Sequence, residues 1–330
     1  MIHLVGGESA LGTLKETSVP GEKFSIDDIL MEGPVLDGLR SESSWNARAD
    51  YLDRYFSIPK FAYLSGNAER NRVLHESLLH EEIVLWFEFD LFCQANLLYF
   101  LDWYASRDLG QTRLTLICPE TVPGRARFRG LGELRTDELE SLFPERSEIT
   151  ADQKRLAQLA WQAYGSNDPR AIEAFLQSSA SALPLLAPAL RAHLERFPSI
   201  ANGLGILGQK TLEILVQQPA DFHELFRRVL PCEKSFDTES VTVSLRHIST
   251  CGRQRRHLSS KITGLWKSRS PAAVSLIIAS TRFKSTVWIS GTAASTSPPA
   301  ISGDGTRSVK SWREWANNRH LCLFRVKEEK

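Results

Sequence analysis

One stretch constrains the fold more than any other. Ile83-Val84-Leu85-Trp86-Phe87 is a run of consecutive apolar, β-prone residues with helical patterns on either side. A strand apolar on both of its alternating faces suits a sheet covered on both sides, which is the usual setting of parallel strands. Ile2 to Val5, closed by Gly6-Gly7, and Leu114 to Cys118, ended by Pro119, read as further strands, and Lys23 to Leu30 as another after the Pro20-Gly21 turn. Helical spacing falls at Ser9–Glu16, Ser44–Phe56 and Asn67–His80. It recurs where Leu97, Phe100, Leu101 and Tyr104 stand at i, i+3, i+4 and i+7. The alternation predicts an α/β fold, a mostly parallel Rossmann-like sheet with flanking helices, over residues 1–134.

From Thr136 the pattern turns helical. Thr150 to Gln153 has the form of a capping box, Asp168-Pro169 that of a cap followed by a first-turn proline, and Pro188 opens another helix. This predicts a helical region over 135–200. Helices at 209–217 and 221–229, with Pro219 between them, read as a partial helix-turn-helix over 201–230, the start of a winged-helix-like unit.

Several function classes lose support. The net charge of +1 gives no global reason for a nucleic-acid partner. No apolar run reaches the length of a membrane span, and the N-terminus has neither a basic segment nor a long apolar one, so a cytoplasmic protein is expected. Five widely spaced cysteines form no CxxC pair, and the histidines show no HxxxH or HExxH spacing, so neither set predicts a metal site. No GxSxG elbow is present.

Three places carry candidate chemistry. Gly7-Glu8-Ser9 sits where the first strand meets the first helix, a place where free N–H groups receive anions. The bland alternative is a tight turn with Ser9 as helix cap. Glu88 and Asp90, with Gln94 a turn later, lie at the carboxyl end of the strongest strand, where open α/β sheets bind ligands. Here the alternative is that Asp90 only caps the next helix and Glu88 is solvated. Arg125, Arg127 and Arg129 alternate before Gly130-Leu131-Gly132, and in extended backbone they share a face suited to phosphate or carboxylate. Pairing with Glu133 or Glu138 would make them structural instead.

IHLVGGES at 2–9, DDILMEGPV at 27–35, LWFEFDLFCQANLL at 85–98, RFRGLGEL at 127–134 and NGLG at 202–205 occur in order. Together with LFPERSEIT and ALPLLAPALRAHLERFPS, they resemble the bacterial proteins grouped as the domain of unknown function 1835 family, over about residues 1–229. The resemblance implies a fold and a recurring cleft, with no established activity and no known cofactor. Two positions depart from the family's habit: Glu8 where Asp is usual, and Phe89 where His usually separates the acidic pair.

The resemblance also bears on residues 231–330. No Asp or Glu occurs from Ser240 through Gly303, while Trp266, Trp288, Trp312 and Trp315 sit poorly with a disordered basic tail. Codons for the stretch from Trp288 can be chosen so that the neighbouring frame reads GGVHL, which resembles the family's usual ending. A frameshifted tail is therefore expected.

The function expected from all this is recognition of a small polar or nucleotide-like ligand at the sheet cleft near Gly7, Glu8, Ser9, Glu88, Asp90 and Gln94, with Arg127 and Arg129. The rivals are a metal-assisted hydrolase using Glu88 and Asp90, and a regulatory protein whose helix-turn-helix contacts DNA or another protein.

Overall fold

The structure is a computed structural model, which describes residues 1–178, 182–218, 220–229 and 241. The expectations for 231–330, a shifted frame among them, fall outside the described residues. Two compact units divide at residue 192, Met1–Ala192 and a second starting at His193.

The first unit holds a five-stranded sheet in the order β2-β1-β3-β4-β5. Its strands are β1 (Ile2–Val5), β2 (Glu22–Ser25), β3 (Glu82–Trp86), β4 (Arg113–Ile117) and β5 (Ser147–Glu148). The first four run parallel, and β5 adds an antiparallel edge through Thr115 opposite Glu148. The expected neighbours at 2–5, 83–87 and 114–118 thus share one sheet. Two-residue β5 was not legible, because a strand that short has no periodicity.

The helices of this unit are α1 (Glu8–Lys15), α2 (Glu42–Phe56), α3 (Lys60–Ser77), α4 (Leu91–Ala105), α5 (Thr136–Leu142), α6 (Ala151–Tyr164) and α7 (Arg170–Ser178). The next, α8 (Leu186–Glu195), crosses the division at residue 192. Buried residues on α4 include Leu91, Leu97, Leu98, Phe100, Leu101 and Tyr104. A helix apolar all round must be covered all round. Cover comes partly from α6, whose Trp161 ring lies 5.6 Å from Tyr99 and whose Tyr164 hydroxyl donates to the Leu30 carbonyl at 3.1 Å. That packing joins the expected 1–134 sheet region and most of the 135–200 helical region in one body. The capping box at Thr150 forms as its residues predict, with bonds of 3.1 and 2.9 Å.

The second strand is shorter than expected. After Ile26 donates to Val5 O at 3.2 Å, the Asp28 backbone turns to the Asn96 side chain, which takes both its N–H (2.9 Å) and its carbonyl (2.7 Å). Arg48, wholly buried on α2, then gathers the 28–34 segment. It donates to the Asp28 carboxylate at 3.2 and 3.3 Å and to the carbonyls of Ile29, Glu32 and Pro34. Tyr63 and Arg70 of α3 complete the ring around Asp28. Burial alone would raise the Asp28 pKa, but the Arg48 and Arg70 guanidiniums outweigh it and hold the carboxyl below its ordinary range.

In the second unit α9 (Ile206–Gln217) begins three residues before the expected start, and α10 (Phe222–Val229) lies against it.

Candidate functional site

The strand order fixes where to look. The chain leaves β1 for β2 on one side of the sheet, and leaves β3 for β4 on the other, so the order reverses between β1 and β3. At such a switch point the following segments part in opposite directions, leaving a crevice at the carboxyl ends of the strands. Gly7, Glu8, Ser9, Glu88, Asp90 and Gln94 all belong to the segments that leave those two ends.

The two glycines differ in what they do. A Cβ on Gly6 would stand 2.7 Å from the Phe87 ring, so the close approach here is between strand ends, which the Gly6 N–H bond to Trp86 O (2.9 Å) also joins. A Cβ on Gly7 would meet nothing within 4 Å. Gly7 is the N-cap of α1, and no side chain caps that end. Ser9 is therefore not the helix cap that its position suggested. Its hydroxyl instead donates to Gly132 O at 3.2 Å.

Glu88 is likewise not merely solvated. Its Oε1 accepts from the N–H groups of Leu131 (2.7 Å) and Gly132 (3.4 Å). A Cβ on Gly130 would fall 2.2 Å from Oε2 of the same carboxylate, and one on Gly132 would fall 2.9 Å from Ser9 Oγ. The RFRGLGEL motif is thus a loop laid across the ends of β1 and β3, with glycines where those two side chains reach its backbone. Its Leu131 is buried among Val5, Leu11 and Trp86, which anchors it.

Asp90 does cap α4, accepting from Cys93 N at 2.8 Å, and it is 5% exposed. The cap brings a side chain that sequence reasoning missed. Cys93 Sγ donates to Gly6 O at 3.4 Å, and Glu88, Asp90 and Cys93 place one potential metal-ligand atom each within 4.8 Å of one another. The spacing Asp90-x-x-Cys93 at a helix start was the available signal. Burial, then the charges of Asp90 and Glu88, push the Cys93 thiol well up. Gln94 Nε2 donates to Glu88 O at 2.7 Å and to Cys118 Sγ at 3.4 Å. Burial pushes the Cys118 thiol up to about 12 against that hydrogen bond. Asp27, just past β2, is also shifted upward, mainly by burial, with Glu8 contributing.

The arginines separate. Arg125 makes a two-pronged pair with Glu138 at 2.9 and 2.7 Å, the structural alternative. Arg127 and Arg129 are exposed and form no ion pair among the described residues. Between them Phe128 turns inward, its ring 5.9 Å from that of Phe89.

Comparison with known proteins found no matching family model and no matching curated protein. The resemblance to the domain of unknown function 1835 family therefore stands on its motifs alone.

Proposed function

We propose that this protein binds a small polar, nucleotide-like ligand at the β1–β3 switch point. One observation carries the reading: the uncapped N-terminus of α1 faces open space at Gly7, beside the polar ends of β3 and α4. Backbone N–H groups at a helix start attract a phosphate or carboxylate. Asp90 and Glu8 offer acceptors for hydroxyl or amino groups, and Arg127 and Arg129 offer charge on the covering loop. Kinship with the domain of unknown function 1835 family and a cytoplasmic location belong to the same proposal. No helix among the described residues is long and apolar enough to cross a membrane.

Nucleoside mono- and triphosphates, tested one at a time, should raise the melting temperature. A ligand at a hundredfold its Kd stabilises by about 2.7 kcal/mol. Asp90→Asn keeps the cap, since Asn caps nearly as well, but should abolish or weaken the response. An unchanged response in that variant would leave Asp90 only its cap.

A second reading, a metal-assisted hydrolase at Glu88 and Asp90, is favoured by the convergence of Cys93 on the same two carboxylates. The DNA-binding reading draws less support. Lys210 bonds Glu213 at 3.4 Å and Arg227 pairs with Glu224, so basic groups of α9 and α10 are already engaged.

A further inference from the structure

We propose that residues 126–129 form a flap that turns over when a phosphate-like anion enters the crevice, exchanging the Phe128 ring for the side chains of Arg127 and Arg129. The proposal deepens the crevice reading and rests on it for the anion.

The covering loop is held unevenly along its length. Before the flap, Val122 is buried and Arg125 is tied to Glu138 by its two-pronged pair. After it, Leu131 is buried, and Glu88 and Ser9 hold the backbone of Leu131 and Gly132. Between these anchors Ala126, Arg127 and Arg129 are exposed. Of the four residues, Phe128 is the one partly buried, its ring set edge to face against Phe89. A segment with so little buried apolar surface opens more easily than the anchors beside it.

Alternation makes the flap two-sided. Exposure rises and falls along 127–129, so the ring and the two guanidiniums lie on opposite faces, as in extended backbone. One face meets the crevice at a time. In this structure it is the ring, packed on the residue that stands between Glu88 and Asp90. Half a turn about the chain direction brings Arg127 and Arg129 to the same place. Arg125 shares the alternation but stays with Glu138, which confines the turn to the flap.

Charge supplies the reason to turn. Glu8, Glu88 and Asp90 all stand at the crevice, so an anion entering it meets like charge. The uncapped start of α1 offsets that only in part, since a helix end carries about half an elementary charge. Two guanidiniums, always charged and forked to match phosphate oxygens, offset the rest. An uncharged molecule makes no such demand and leaves the ring in place.

Trypsin, which cuts after arginine, tests this on the full-length protein, with cleavage after Arg127 and Arg129 followed by mass spectrometry. Inorganic tripolyphosphate is the probe and adenosine the uncharged control. We expect tripolyphosphate to slow both cuts roughly fivefold or more, and adenosine to leave them unchanged. Phe128→Ala should speed both cuts in the absence of probe. It should also bind tripolyphosphate about threefold or more tighter by calorimetry, because the ring no longer competes with the arginines. Phe89→Leu removes the opposing ring, should show the same two changes, and serves where Phe128→Ala fails to fold. Arg127→Gln together with Arg129→Gln should weaken binding roughly tenfold or more. Wild-type cutting rates in the two ring variants, or full affinity in the double arginine variant, overturn the proposal. Tripolyphosphate bound at wild-type affinity by both ring variants keeps the crevice and removes the flap. No tripolyphosphate binding to any form removes the crevice reading itself.

Discussion

Two polar clusters sit at the same carboxyl edge of one sheet, and they are built on opposite terms. Beyond β2, Asp28 is surrounded by the guanidiniums of Arg48 and Arg70 and the hydroxyl of Tyr63. Its charge is met by opposite charge. Beyond β3, Glu88 and Asp90 accept from the backbone amides of Leu131, Gly132 and Cys93, with the buried Cys93 thiol within 4.8 Å of both. The first arrangement is a lock, closing the 28–34 segment against α2 and α3. The second holds its carboxylates through backbone amides at a strand end and a helix start, beside a thiol. Polar burial by itself therefore does not mark a site. The first cluster closes a segment against two helices, whereas the second lies at the switch point of the sheet.

The largest test of that contrast is at Arg48. Replacing it with Met leaves the buried Asp28 carboxylate only Arg70 and Tyr63 and frees three carbonyls, and should cost about 3–5 kcal/mol in chemical denaturation. A loss under about 1 kcal/mol would mean that Asp28 is not locked. Asp90→Asn, which keeps its cap, should cost no more than a few tenths of a kcal/mol.

Acid should act next. His3 is wholly buried on β1, accepting from Trp86 Nε1 at 3.0 Å through Nδ1 and bonding Pro20 O at 2.8 Å through Nε2. Both ring nitrogens are used by the neutral form, and burial lowers its pKa from 6.5 to about 4. The unfolded chain therefore takes the proton first. Stability from this group is complete above pH 6.5, falls as the pH drops towards 4, and is gone below that, for a total of roughly 3 kcal/mol. Asp28, whose folded pKa is lowered, withdraws its share only below its unfolded value of 3.8. Urea melts that stay flat between pH 6.5 and 4.5 would contradict the His3 assignment.

The glycines give a smaller and more local test. Gly130→Ala forces the added methyl onto the Glu88 carboxylate and should destabilise by about 1–3 kcal/mol. Gly7→Ala meets only open space in extended backbone and should change stability by under about 0.5 kcal/mol. Both are read by thermal denaturation. Equal losses at the two positions would erase the difference between the loop-bearing and the open side of the crevice.

The sequence alone determined the architecture, because the features that set it are local and periodic. Ile83–Phe87 is too apolar for a half-exposed strand, and Gly6-Gly7 and Pro119 stop β1 and β4 where residue chemistry says they must. Thr150 with Gln153 started α6 for the same reason. It also placed Glu88 and Asp90 at the carboxyl end of β3, since they directly follow the strongest run. Only the tertiary structure decided what those residues do. Ser9 and Gly132 are far apart in the chain, as are Glu88 and Leu131, so no spacing could show that a cap-like serine and a solvated-looking glutamate hold one loop. Arg48 lies on a helix that reads as amphipathic, and its burial follows from the Asp28 it meets 20 residues earlier. Cys93 looked like one of five scattered cysteines until the α4 cap turned it towards Gly6. Local pattern follows from the backbone's short-range geometry, whereas partnership between side chains depends on which distant segments the sheet order brings together.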